Sequence, residues 1–522
     1  MIKIHISIIK KLSMSNMRNI NVILCLFLLI SFNLELSCFS QSSTVLKDID
    51  PSHWHGFNLL EKFALERNSP YVENDFKWIS EFGFNFVRLP IDYRCYTDME
   101  NELQFIEAQL KEIDQALVFG KKYNIHVCIN LHRAPGYCIH QKNGHNLWSN
   151  EKTQKIFIKH WLMFAKRYKS ISSERLSFNL LNEPTHTTYK RYLNIINKTI
   201  NAINKEDPNR LIIVDGMNIG SIPISELLFN RNVIQATRGY HPGSISHYNA
   251  SWLKDRGNWI EPTWPLSPFV GFLYGPGKTK FNKPLLLNGE LPINMKIGIK
   301  INSISKKAML VAKADNQIIS KKYIDPKNDS KKWNKIESKN NPNLSIYTVR
   351  KEFEYKVVLP NRTKEFTLEN VLGDWLFFSK LIIDLPDNVH LEFDTDKSWG
   401  RKQIPLSFDS DKNSIQSSKI DLEKVVIDEY IEPWVEISSK GAKVIVGEWG
   451  CLNQTPHSVT IAWMKSWLEK YKKENFGWAL WNFRGGFGIL DSKRNDVIYE
   501  KWNGHNLDRE MLTLLQNYSS GN

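Results

Sequence analysis

"RLSFNLLNEPTH", residues 175–186, is the stretch on which the fold turns. An apolar run of strand type, from Leu176 to Leu181, stops abruptly at Asn182-Glu183-Pro184. A continuous apolar run suits a strand buried on both faces, as in a parallel sheet. Such a strand has no packing use for an amide and a carboxylate at its end. Pro184 turns the chain out of the strand, because a residue before proline avoids the α region.

Seven further runs have the same character: "HGFNLLEKF" (55–63), "FNFVRLP" (84–90), "HVCINLH" (126–132), "LIIVDGMN" (211–218), "VIQATRGY" (233–240), "AKVIVGEWG" (442–450) and "GWALWNF" (477–483). Amphipathic stretches separate most of them. "LQFIEAQLKEIDQALVFGKKY" sets Leu103, Ile106, Leu110, Ile113 and Leu117 on one helical face. "VTIAWMKSWLEKYKKE" does the same before the last run. Eight strand–helix alternations predict an α/β fold, a (β/α)8 TIM barrel.

One interval breaks the rhythm. Runs six and seven lie about 200 residues apart, where a crossover needs a few dozen. Between them "MKIGIKINSISKKAMLVAKADNQIISKKYI" and "TVRKEFEYKVVLP" alternate apolar and polar with period two. Residues 280–400 therefore read as an antiparallel β-sandwich inserted between strands six and seven. The barrel would then comprise 41–279 and 401–522. "KPLLLNGELP" offers a decoy, with Glu290 after an apolar run and a Gly, but its pattern continues into period-two strands.

The 522 residues are 42% hydrophobic and 12% aromatic, which excludes a disordered chain. The net charge of +14 comes from scattered Lys with no basic stripe, so nucleic acid is not an expected partner. Residues 17–43 run from a basic start through an apolar Val22–Phe32 to small and polar residues, the layout of a signal peptide ending near residue 40. Export is the expectation, with no integral membrane span. A lipid anchor on Cys38 is disfavoured by Glu35, which stands where an aliphatic residue is needed. Cys95, Cys128, Cys138 and Cys451 have no metal-finger spacing, and one disulfide or four thiols fit equally.

In a barrel of this kind the active site lies at the C-terminal strand ends. The eight runs end in Glu61, Arg88, His132, Asn182-Glu183, Asp215 with Asn218, Arg238 with Tyr240, Glu448, and Trp481-Asn482. Any one of these alone is more often a surface or satisfied core residue; eight together point to a catalytic mouth. Two carboxylates across a cleft are the chemistry of glycoside hydrolysis, one protonating the leaving oxygen and one attacking the anomeric carbon. Arg88 is placed to pair with Glu448, Asn182 to bond a sugar 2-hydroxyl, Tyr240 to touch Glu448, His132 to bond sugar or neighbours, and Trp481 to floor the cleft. Carboxylate chemistry of this kind needs no metal and no cofactor.

"NLLNEP", "VIVGEWG", "NFVRLP" and "INLHRAPGY" resemble the strand-end motifs of glycoside hydrolase family 5, and 481–515 resembles the end of its cellulase-like members. The resemblance implies a retaining enzyme with Glu183 as acid/base and Glu448 as nucleophile. Arg88, His132, Asn182, Tyr240 and Trp481 would form the shell. It implies a β-linked polysaccharide or oligosaccharide as the partner, with a monomer expected. An endo-β-1,4-glucanase leads; a β-mannanase or β-1,3-glucanase uses the same machinery, and a non-catalytic carbohydrate binder is the rival from another class. One departure stands out. Members carry His-x-Tyr after strand six, whereas "TRGYHPGSISHY" has Arg238-Gly239-Tyr240, with His241 and His247 as substitute rings. Trp333, Trp375 and Trp399 are candidates for a stacking face on the insert.

Overall fold

The computed structural model describes residues 49–139, 146–253, 261–337, 345–397, 399–417 and 422–519. The signal peptide expected at 1–40 lies outside the described residues. Eight parallel strands close a barrel: His55–Asn58, Phe86–Asp92, His126–Arg133, Leu176–Asn179, Leu211–Asp215, Val233–Gly239, Lys443–Trp449 and Gly477–Leu480. Each expected run supplies one strand, in sequence order around the ring.

The helices between them are laid down by apolar spacing. Tyr189–Glu206 buries Tyr192, Ile195, Ile196, Thr199, Ile200 and Ile203, the i, i+3, i+4 stripe that faces a core. Its start is capped by the Thr188 hydroxyl, which accepts the Arg191 N–H. Glu107–Lys122 buries Leu110, Ile113 and Leu117 as expected. Leu103 and Ile106 differ: both precede the helix, Leu103 in a turn and Ile106 next to the first helical residue and 40% exposed. Their apolar spacing continued one turn past the point where the helix begins.

Between the sixth and seventh barrel strands lie two six-stranded sheets that share one apolar core, including Leu287, Ile299, Leu310, Phe366 and Leu381. The paired strands run from Phe272 to Ser417, wider than the expected 280–400. Phe272–Tyr274 pairs with Trp375–Asp384, and Leu406–Asp409 pairs with Leu285–Leu291. The second of these pairings is parallel, so the sheets are not wholly antiparallel. Both outlying strands are short, so period-two patterning had little length in which to show. Leu285–Leu291 carries the decoy Glu290, which is exposed and belongs to a sheet separate from the barrel.

Trp333 and Trp375 are buried in the sheets, while Trp399 is half exposed. Cys95, Cys128, Cys138 and Cys451 are all free, buried thiols. Among the described residues no helix is long and apolar enough to cross a membrane.

Candidate active site

The fourth barrel strand ends at Asn179, and the next four residues bring the chain onto the barrel mouth. Glu183 takes a left-handed backbone, φ 47°, which is costly for a residue with a side chain. Its peptide groups are held from both sides. The Glu183 N–H donates to Asp215 Oδ2 at 2.9 Å, and the Tyr137 hydroxyl donates to the Glu183 carbonyl at 2.6 Å. Tyr137 also accepts the Thr185 N–H at 3.0 Å. Held strain of this kind clusters at functional sites.

Glu448 is aimed by a different device. The register between strands six and seven shifts between Val446 and Glu448, leaving Glu448 opposite Arg238. A bulge re-aims the side chain that follows it. Gly447 sits in the shift, and a Cβ there would lie 3.0 Å from the Arg238 guanidinium. Glycine lets that side chain pass.

Two guanidiniums organise the mouth. Arg88, from strand two, donates to Glu448 Oε1 at 2.5 Å, to Asn58 and Asn179 at 2.9 and 2.8 Å, and to Asn182 Oδ1 at 2.8 Å. Arg238, from strand six, donates to Glu183 Oε1 at 3.2 Å, to Asn182 Oδ1 at 2.8 Å and to Asp215 Oδ2, and lies 3.5 Å from Glu448 Oε1. One buried side chain therefore touches Glu183 and stands within ion-pair range of Glu448. The two carboxylates, 265 positions apart in the chain, share one rim.

Charge follows from this. Two buried guanidiniums face three carboxyls, those of Glu183, Asp215 and Glu448. Glu183 is pushed up to about 7, chiefly by desolvation and then by repulsion from Glu448; Arg238 and Arg88 pull against the rise. A carboxyl that keeps its proton near neutrality, with Arg88 bonded to the Glu448 side chain across from it, is the arrangement that acid-assisted displacement needs.

The remaining expected residues fall as follows. Tyr240 donates to Glu448 Oε2 at 3.3 Å. The His132 ring lies 3.9 Å from Glu448 Oε1 and stacks on Trp481. Asn182 spends its oxygen on the two arginines, and its buried Nδ2 has no partner among the described residues. Arg238 occupies the place of the usual strand-six His. His247 packs edge-on to Tyr240, and His241 stacks on Tyr430. Neither ring reaches a carboxylate among the described contacts.

Some of the strand-end set stands apart. Among the described residues the Asn218 side chain bonds Ser221, out at the surface. Glu61 sits beside Asp75 and Arg484, its pKa raised to about 7 mainly by burial, and makes no contact with Glu183 or Glu448. Asn58, Asn179 and Tyr137 were not singled out from sequence. The signal for the first two was present: each is an amide inside an otherwise apolar run, "HGFNLL" and "LSFNLL". Tyr137 closes the motif "INLHRAPGY", but nothing in it shows the role, which is to clamp a backbone 46 residues away.

A family model described as cellulase (glycosyl hydrolase family 5) matches residues 47–255. Endoglucanase C of Acetivibrio thermocellus is 29% identical over 240 residues, 43% of this chain and 70% of that protein. Cellodextrinase A of Ruminococcus flavefaciens is 28% identical over 201 residues, 37% of this chain and 58% of that protein. A crystal structure described as a glycoside hydrolase aligns with TM-score 0.56 and 26% identity, covering 89% of this chain and 99% of that one. Endoglucanase Cel5A of Thermotoga maritima aligns with TM-score 0.50 at 16% identity, covering 90% and 100%, a likeness of fold alone.

Proposed function

Because the chain belongs to glycoside hydrolase family 5 and is a glycoside hydrolase of β-glucans, we propose that it is a retaining endo-β-1,4-glucanase. Glu183 is its acid/base and Glu448 its nucleophile. The single observation that carries the assignment is the Arg238 guanidinium touching Glu183 at 3.2 Å while standing 3.5 Å from Glu448.

Chemistry then follows in two displacements. Glu448 attacks the anomeric carbon as Glu183 gives its proton to the departing glycosidic oxygen, forming a glycosyl ester on Glu448. Glu183, now a carboxylate, takes a proton from water, whose oxygen attacks the same carbon and frees Glu448. Two displacements return the β configuration. Asn182 Nδ2 supplies a hydrogen bond to the sugar 2-hydroxyl, a contact that strengthens as the ring becomes oxocarbenium-like. Trp481, backed by His132, offers a flat face to the sugar ring. The layout of residues 17–43 supports export, where a polymeric substrate is met.

A panel of β-1,4-glucan, β-1,3-glucan and β-mannan, read by reducing ends and viscosity, tests the substrate. The expected result is fastest turnover on β-1,4-glucan, with viscosity falling before reducing ends accumulate. Turnover confined to mannan or to the 1,3-linked polymer would overturn the linkage assignment.

A further inference from the structure

Next to the mouth, and sharing Tyr137 with it, lies a cavity of about 200 Å3 walled by Tyr93, Arg94, Arg133, Tyr137 and Cys138. That is smaller than the roughly 300–1,000 Å3 that encloses a drug-sized ligand, so it suits one substituent or one ring. It adjoins the site through two residues. Tyr137 lines it and clamps the Glu183 backbone, and Arg133 directly follows His132.

Its chemistry comes from two arginines tied to one buried carboxylate. Asp92, at the end of the second barrel strand, is fully buried. Arg94 forks onto it, with Nη2 2.5 Å from Oδ2 and Nε 2.9 Å from Oδ1. Arg133 Nε lies 3.6 Å from the same Oδ2 and donates to the Phe63 carbonyl at 3.2 Å. Arg133 Nη1 reaches Cys138 Sγ at 3.2 Å, and the guanidinium lies 5.1 Å from the Phe63 ring centre. Among the described residues no partner is assigned to Arg94 Nη1 or Arg133 Nη2. Glu66 also acts on Arg94, and Tyr93 donates to Glu102 Oε1 at 2.7 Å on the same wall, so the selection of an anion rests on the open guanidinium donors and not on net charge. The Arg94 and Arg133 side chains are still partly open to solvent, 35% and 24% exposed. Because Asp92, Phe63 and Cys138 already fix the forks, little side-chain entropy remains to be lost on binding.

A guanidinium fork fits a carboxylate through paired hydrogen bonds, and two forks with donors to spare select a planar anion over a hydroxyl. We propose that this cavity binds the carboxylate of an acidic sugar, a uronic-acid unit carried by or within the β-glucan chain. The sugar in that assignment rests on the glycan reading above; the anion rests on the arginines.

The test uses the full chain and needs no turnover. D-glucuronate, D-glucose and inorganic phosphate are titrated into wild type, Arg94→Gln and Arg133→Gln by calorimetry, with melting curves checking that each variant is folded. The expected result is glucuronate bound about tenfold or more tighter than glucose, with that margin lost in either variant, the scale of one charged hydrogen bond. Hydrolysis adds a second readout. The KM for a C6-oxidised cello-oligosaccharide should lie below that for the neutral one, and Arg94→Gln should erase the difference while leaving kcat/KM on the neutral substrate unchanged. Glucuronate binding no tighter than glucose, or a margin that survives both substitutions, overturns the proposal. Phosphate binding as tight as glucuronate overturns the sugar assignment. Failure to hydrolyse any β-glucan would break the proposed function yet leave the titration decisive for the cavity. Should Arg133→Gln fail to fold, Arg94→Gln decides alone.

Discussion

The barrel mouth and the inserted sheets handle charge in opposite ways. The mouth buries Arg88, Arg238, Asp215 and Glu448 within one hydrogen-bonded cluster. The sheets bury an apolar core and keep pairs such as Lys313–Glu369 and Lys356–Asp384 part-exposed on their outer faces. Their one buried charge among the described residues is Arg401, paired with Asp396. Part-exposed pairs such as Lys313–Glu369 contribute about 0–1 kcal/mol each. Buried ionic groups cost several kcal/mol apiece to desolvate, and their mutual attraction does not reliably return it. The same chain thus shows what a fold needs for stability and what it carries for chemistry. The difference marks the mouth as the place where stability is given up for function.

The strongest way to break the comparison is to remove a mouth carboxylate. Glu448→Ala should lower kcat on an aryl β-cellobioside by about 10^4- to 10^6-fold, the scale of losing a nucleophile. A loss under tenfold would mean that Glu448 is structural, like the ion pairs of the sheets. Glu183→Ala should cost about 10^2- to 10^4-fold with poorly departing groups, and much less with an activated nitrophenol that needs no proton. Equal losses for both leaving groups would remove the acid role.

In the sheets the expected effect is on stability. Phe366 is fully buried in their shared core, and Phe366→Ala should cost about 3–5 kcal/mol. Measured by chemical denaturation, the loss should appear while kcat/KM of the folded protein stays within twofold. A matching fall in kcat/KM would make the sheets part of the cleft.

Glu183→Gln sharpens the contrast through pH. The folded value of Glu183, about 7, lies above the ordinary glutamate value of about 4.3. Its contribution to stability is therefore complete below about pH 4 and is lost as pH rises through 7. Glutamine has no proton to lose. The variant should gain melting temperature over wild type more at pH 8 than at pH 4.5, and activity of the wild type should fall as pH passes 7. An equal gain at both pH values would show that Glu183 is not carrying a buried proton.

What the sequence made legible follows the same division. The barrel strands were readable because each is an apolar run closed by a polar residue, and their order fixed the mouth before any coordinate. The pairing of Arg88 with Glu448 was readable because strand ends of one barrel must converge. Two things were not. The link from Arg238 to Glu183 depends on the left-handed turn at Glu183, and the aim of Glu448 on the register shift at Gly447, and neither has a sequence period. The outer strands of the sheets, Phe272–Tyr274 and Ser414–Ser417, are three and four residues long, too short for alternation to be seen. Their pairing is dictated by the neighbours they complete.

The central claim is that Glu448 forms a covalent bond to the sugar with Glu183 assisting from across the mouth. The most direct measurement is to react the protein with a 2-deoxy-2-fluoro-β-cellobioside bearing a good leaving group, then read intact mass and the labelled peptide. A stoichiometric mass gain on the peptide containing Glu448, with β-configured product from ordinary substrate, is the predicted result. A label on any other carboxylate, or α-configured product with no label at all, would contradict it.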